Sequence, residues 1–251
     1  MSCVTIRGCR IGEGRPKVIV PIVEHTEPGI LEKAAQFSTL QADCVEWRVD
    51  LFEGAPDLSA IVHCAAKLRV ALKDKLLLVT FRTKAEGGNL ALEHEAYLHF
   101  IRTVLATDCA DLIDIEFFTA GTDLPALIED AHTAGARVVC SSHDFHKTPP
   151  RDALVRRMVA MQQAGADLPK LAVMPQNRTD VLELLAATAE MADQHPETPV
   201  ITMSMGALGA VSRLAGEAFG SAMTFANPGQ ASAPGQVPLD VVNEVLDALH
   251  L

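Results

Sequence analysis

The stretch Ala166-Asp167-Leu168-Pro169-Lys170-Leu171-Ala172-Val173-Met174 decides how this chain folds. It is apolar enough to be a buried strand, and it stands between two runs with helical spacing, 151–164 and 179–194. A strand between two helices is one step of a β/α alternation, and the alternation continues in both directions. Strand patterns lie at 17–23, 43–50, 76–82, 112–118, 137–145, 199–205 and 222–226. Helical patterns include 57–73 and 89–106. Pro28 and Thr122-Asp123 mark helix starts, and Gly135 and Gly165 mark helix ends.

Eight such units in 251 residues predict an α/β fold, a (β/α)8 TIM barrel forming a single domain over 1–251. The G-x-G-x-x-G turn of an open dinucleotide-binding sheet is missing. Residues 3–11 precede the first unit and predict an N-terminal β-hairpin around Gly8 that covers the bottom of the barrel.

Composition narrows the function. The formal net charge is -11, and Lys and Arg form no run, so no nucleic acid partner is expected. A local arginine cluster could still bind an anionic small molecule. The six cysteines form no C-x-x-C pair and read as reduced core thiols. There is no apolar leader and no stretch of spanning length, so no membrane partner and a cytoplasmic location are expected.

Side chains alternate faces along a strand. Glu46, Arg48 and Asp50 share one face, opposite Val45, Trp47 and Val49. Thr80 and Arg82 share a face, as do Asp114 and Glu116, Ser141 and His143, and Leu168, Lys170 and Ala172. The outer face of a barrel packs on helices and should be apolar. The polar set therefore points inward, towards the mouth where barrel enzymes carry their chemistry. Each residue alone also has a plain structural reading, and Lys170 could simply reach water. A buried, neutral lysine is instead a nucleophile towards ketones and aldehydes.

Weaker signals accompany these. His143 and His146 are three apart, which on a strand sets them on opposite faces, so no metal site is expected. Gly206 and Gly209 open a helix whose backbone N–H groups could hold an anion, with Arg213 beside them. The Gly- and Pro-rich segment 227–238 suits a lid over the mouth.

These segments together resemble the type I 3-dehydroquinate dehydratases. The resemblance rests on Glu46-Trp47-Arg48-Val49-Asp50, Thr80-Phe81-Arg82-Thr83 with Glu86-Gly87-Gly88, Ser142-His143-Asp144-Phe145, Lys170 to Met174, Ser204-Met205-Gly206 through Ser212-Arg213, and Ala231 to Gln236. It implies a cofactor-free barrel, a homodimer, that converts 3-dehydroquinate to 3-dehydroshikimate and water. It implies Lys170 as the Schiff-base lysine, His143 as proton donor and acceptor, and Glu86 as the group that orients His143. It implies Arg213 for the substrate carboxylate, with Glu46, Arg48, Arg82, Ser232 and Gln236 completing the substrate-binding set. Neighbouring arginines are then expected to hold Lys170 neutral by repulsion.

Two positions depart from the family pattern. Pro21 stands where a serine is common, and Pro169 precedes the lysine where an aliphatic residue is usual, which predicts a bulge or a missing ladder bond. The rival readings are a class I aldolase sharing the lysine, a non-catalytic barrel that binds a cyclic hydroxy acid, and, more distantly, a metal-dependent hydrolase.

Overall fold

The computed structural model describes residues 2–251, and Met1 lies outside the described residues. An antiparallel hairpin, β1 (Val4–Ile6) and β2 (Cys9–Ile11), comes first, turning at Arg7 and Gly8 with positive φ. Eight parallel strands follow: β3 (Lys17–Ile22), β4 (Cys44–Arg48), β5 (Leu76–Thr80), β6 (Leu112–Glu116), β7 (Arg137–Asp144), β8 (Leu168–Val173), β9 (Ile201–Ser204) and β10 (Met223–Asn227). Each pairs with its successor up to β9, and β10 pairs back to β3. The seam between β9 and β10 is joined by a Val200–Ser221 bridge and by the Ala222 N–H to Val200 O bond, 2.8 Å. The sheet thereby curls into the (β/α)8 barrel. A two-residue strand, β11 (Val237–Pro238), pairs parallel with the end of β10.

The main helices are α1 (Glu27–Phe37), α2 (Leu58–Leu72), α3 (His94–Leu105), α4 (Phe117–Ala120), α5 (Leu124–Thr133), α6 (Arg151–Gln163), α7 (Arg178–Gln194), α8 (Val211–Leu214), α9 (Gly216–Phe219) and α10 (Leu239–Ala248). Local chemistry sets their starts: the Thr26, Asp57 and Asn177 side chains accept N-cap bonds from Gly29, Ser59 and Asp180. Gly135 and Gly165 both follow their helices with positive φ, as expected.

Two apolar layers sandwich the sheet. Val45, Trp47, Ile113 and Ile115 point outward into the layer beneath the helices. Ile19, Leu78, Leu112, Val139, Leu168 and Ile201 fill the lower barrel, where Ile11 of the hairpin joins them. Ile11 is completely buried, so its burial contributes about 1.5–3 kcal/mol towards docking the hairpin as the expected plug.

Several strand and helix limits differ from the sequence reading. Asp50 leaves the strand for a 3-10 turn, Val49–Leu51, and Phe117 begins a short helix. Helix α3 starts at His94 rather than 89, because 84–93 form an ordered loop tied by Lys84 N–H to Leu90 O at 2.8 Å. Pro169 makes no bulge: it sits opposite Cys140 in an unbroken β7–β8 register. All six cysteines are free, three of them fully buried and three partly exposed.

Candidate active site

A cavity of about 240 Å³ opens at the C-terminal ends of the strands. Lys170, His143, Glu86, Glu46, Arg48, Arg82, Arg213, Ser232 and Gln236 all line it. The nine residues assigned to catalysis and substrate binding therefore meet in one place, whereas Asp114 and Glu116, also expected to face the cavity, are completely buried and do not line it. Ala172, Met203, Met205, Phe145 and Phe225 supply apolar wall. Ligand pockets commonly reach ~300–1,000 Å³, so this one suits a single small ring compound.

Lys170 rises from β8 and is 3 % exposed. Its Nζ donates to Asp114 Oδ2 at 3.1 Å and lies 4.7 Å from the centroid of the Phe225 ring. Arginines were expected to neighbour Lys170 and hold it neutral by repulsion, but its direct hydrogen-bond partner is an acid. The nearest ionic partner is a carboxylate, because β6 presents Asp114 on the same inward face two strands away.

His143 and Glu86 meet as a pair. Glu86 Oε2 faces His143 Nδ1 at 2.8 Å and also accepts the His143 backbone N–H at 3.0 Å. Glu86 reaches this point from the loop after β5, where a 3-10 turn ends at Gly87 with φ +87°. Side chains at Gly87 and Gly88 would collide with Phe145 and with the Arg82 carbonyl. Burial pushes the Glu86 carboxyl up to about 8, against the pull of Arg82. Burial first, then Arg82, Lys170 and Arg48, drives His143 well below the usual imidazole range. The two act as one titrating unit. When that unit is deprotonated, Glu86 can hold the Nδ1 proton and leave Nε2 with its lone pair free.

Arg82 is more committed than its sequence reading implied. Its Nη1 donates to Glu116 at 2.8 Å and Ser141 at 3.0 Å, and its Nη2 donates to Asp114 at 2.8 Å. Both terminal nitrogens thus serve protein groups, because Asp114 and Glu116 are completely buried and need a cation. Arg48 is held by a two-point bond to Asp50, at 2.7 and 2.8 Å, which also fixes its reach from β4. Asp50 additionally accepts the backbone N–H groups of Arg82 and Asn89. Thr80 donates to Glu46 at 2.9 Å.

Arg213 has the opposite character. It is 1 % exposed, yet among the described residues its side chain donates only to Met203 Sδ at 3.5 Å and the Pro234 carbonyl at 3.2 Å, and its Nε has no hydrogen-bond partner there. Burial alone lowers its pKa to about 10. A buried cation without an acid partner is a site for an anion. The expected anion-holding helix start does not materialise, since α8 has four residues. Gly209 is there because a side chain would strike the Ser204 carbonyl.

The segment after β10 lies over the cavity. Ser232 N–H donates to Gln236 Oε1 at 2.8 Å, and Gln236 Nε2 returns a bond to Ser232 Oγ at 2.9 Å. Gly206 N–H bonds the Pro234 carbonyl at 3.1 Å, and Gly235, with φ +77°, packs backbone against backbone on Gly206. Pro21 lies outside this cavity, in a neighbouring hollow with Glu24, Lys33 and Pro228. Among the described residues, no group of three or more His, Cys, Asp or Glu side chains is placed to hold a metal ion.

Asp114 and Phe225 are the contacts that sequence reasoning left without a role. Asp114 was legible as an inward acid, but its bond to Lys170 spans two strands and depends on the barrel's stagger.

Comparison with known proteins agrees with this geometry. The family model described as type I 3-dehydroquinase matches residues 18–251. The 3-dehydroquinate dehydratase of Bacillus subtilis (strain 168) is 47% identical over 250 residues, covering 100% of this chain and 98% of that protein. That of Klebsiella pneumoniae (strain 342) is 46% identical, covering 99% of each. The crystal structure of the Clostridium difficile type I 3-dehydroquinate dehydratase with covalent modified comenic acid superposes with a TM-score of 0.96 at 41% identity, covering 99% of this chain and 98% of that one.

Proposed function

The chain belongs to the type I 3-dehydroquinase family, and from that premise we propose which of its residues carry the reaction. It is a hydro-lyase of aromatic biosynthesis that converts 3-dehydroquinate to 3-dehydroshikimate and water through an imine. The observation that carries the assignment is Lys170: a buried amine on the wall of a small cavity that also holds a carboxylate-bound histidine.

Lys170 condenses with the C3 ketone. Lys170 gives up one proton and attacks as the neutral amine. The N–C3 bond forms, the C3–O bond breaks, and the oxygen leaves as water after taking that proton back, so that the net change is ammonium plus ketone to iminium plus water. The iminium draws electrons from the neighbouring C2–H bond, so an imidazole is a strong enough base. His143 takes the C2 proton at Nε2 and the electron pair becomes an enamine. That pair then forms the C1–C2 double bond as the C1–O bond breaks, and His143 returns the proton to the departing hydroxyl. Hydrolysis of the product iminium frees Lys170. Glu86 orients the ring through Nδ1 and shares its proton.

Arg213 takes the substrate carboxylate, which its unpartnered burial supports. Glu46, Arg48, Ser232 and Gln236 hold the ring hydroxyls, and the exposed edge of Arg82 contributes while it neutralises Asp114 and Glu116. No cofactor takes part. The chain works as one barrel domain, in a cytoplasmic homodimer, a stoichiometry that light scattering on purified protein tests.

The experiment is borohydride reduction of the enzyme–substrate mixture followed by peptide mapping. One adduct on Lys170 is expected, with none in Lys170→Met. An adduct elsewhere, or none, refutes the assignment. In His143→Ala the adduct should still form while turnover falls by about 10²–10⁴-fold; undiminished dehydration would remove His143 from its role.

A further inference from the structure

Lys170 Nζ lies between two groups with no role in the sequence-based site. On one side is the Asp114 carboxylate at 3.1 Å, and on the other is the Phe225 ring at 4.7 Å. Asp114 is completely buried and fixed from three directions. Its Oδ1 accepts from Ser141 Oγ at 2.6 Å, and its Oδ2 accepts from Arg82 Nη2 at 2.8 Å as well as from Lys170. Phe225 projects from β10 into the cavity wall. Asp114 itself does not line the cavity but lies beneath it, reaching the amine from below.

We propose that Asp114 and Phe225 form a cation seat for the nitrogen of Lys170, and that Asp114 is the counter-ion of the covalent iminium. The inference rests on Lys170 being the imine-forming residue. Charge conservation explains why such a seat is useful. Ammonium plus ketone give iminium plus water, so the nitrogen carries one positive charge before and after condensation. A fixed carboxylate and an aromatic face accommodate both without reorganising. When His143 removes the C2 proton, the nitrogen becomes a neutral enamine. Departure of the C1 hydroxyl restores the positive charge, now conjugated with the new double bond. The seat therefore favours the two iminium stages and assists the step that expels water.

Asp114 has room for this role because its other bonds come from groups that stay put. Arg82 is anchored by Glu116 and Ser141 as well, so Asp114 keeps its position when Lys170 moves on to the substrate carbon. The aromatic face works without hydrogen-bond geometry. It continues to face the nitrogen after two of the N–H bonds have been replaced by the double bond to carbon.

The test is the fraction of enzyme trapped as reduced adduct, measured by intact-protein mass spectrometry with 3-dehydroquinate and cyanoborohydride. Asp114→Asn keeps the shape and removes the charge, and it should lower the trapped fraction at least tenfold. Phe225→Leu keeps an apolar wall and removes the ring face, and it should lower the fraction about threefold or more. Far-ultraviolet circular dichroism shows whether each variant is folded. If Asp114→Asn does not fold, Phe225→Leu decides. Wild-type trapping in a folded Asp114→Asn, or in Phe225→Leu alone if the first is unfolded, overturns the proposal. Failure of wild type to form an adduct on Lys170 refutes the functional assignment instead, so the two outcomes are separable.

Discussion

Replacing Arg82 by Met should destabilise the protein substantially, and the structure sets the amount. The guanidinium is 5 % exposed and pairs with two completely buried carboxylates, Asp114 and Glu116, both at 2.8 Å. Removing it leaves buried anions short of their cation, a loss of about 3–5 kcal/mol for one broken buried pair. The loss should not reach twice that. Asp114 keeps Lys170 and Ser141, while Glu116 keeps Thr83 and Thr119. Urea unfolding reads it through the one tryptophan, Trp47, which is fully buried under the helices. The pH dependence adds a second check. Burial tends to raise the Asp114 pKa, but Arg82 and then Lys170 overcome it and hold the carboxyl below its ordinary value. A lowered carboxyl contributes stability at neutral pH that is lost as the pH falls through its native value. The variant lacks the larger of those two charges, so its Asp114 takes up a proton at higher pH. The gap between wild type and variant should therefore narrow between pH 7 and about pH 4. A gap below about 1 kcal/mol at pH 7, or one that widens on acidification, would refute the reasoning.

Other outcomes follow from the same geometry. Because burial raises Glu86 to about 8 and lowers His143, the pair is protonated below that pH and frees Nε2 above it. The wild-type kcat/KM should rise with pH up to that region, and Glu86→Gln should shift the rise to lower pH; superimposable profiles would argue against a shared proton. Pro169→Val should leave kcat within about twofold and stability within ~1 kcal/mol, since the β7–β8 register is already continuous; a large gain in activity would show that proline misaims Lys170. Gly235→Ala would put a Cβ 2.3 Å from the Gly206 carbonyl at a φ of +77°. It should raise KM at least tenfold while leaving thermal stability nearly unchanged, and an unaltered KM would mean the segment 227–238 closes without that contact.

Most of the barrel was legible because its period is local. Each strand alternates a helix-facing apolar residue with an inward one, so Glu46, Lys170 and His143 declared their face without any knowledge of neighbours. The eight-unit alternation and the strand-borne part of the cavity lining needed nothing more, whereas Glu86, Ser232 and Gln236 stand outside the barrel strands and were placed by the family resemblance. Limits set by non-local bonds were less visible. Helix α3 begins late because Thr83 pairs with Leu90 and because Glu86 must turn towards a strand 57 residues away. Pro169 looked like a fault, yet losing one donor does not displace a strand paired along its whole length.

The amino-acid pattern by itself thus determined the architecture and the inventory of reactive groups at the mouth. It also marked Lys170 as the amine to watch. Only the tertiary structure decided how charge is distributed among them. Arg82 is taken up by Asp114 and Glu116, Arg213 is left without an acid, and Lys170 has a carboxylate on one side and a ring on the other. The reason is range. Alternation is written between residues two apart, whereas an ion pair is made across the barrel by groups 32 to 56 positions apart, and the strand stagger selects which cation meets which anion.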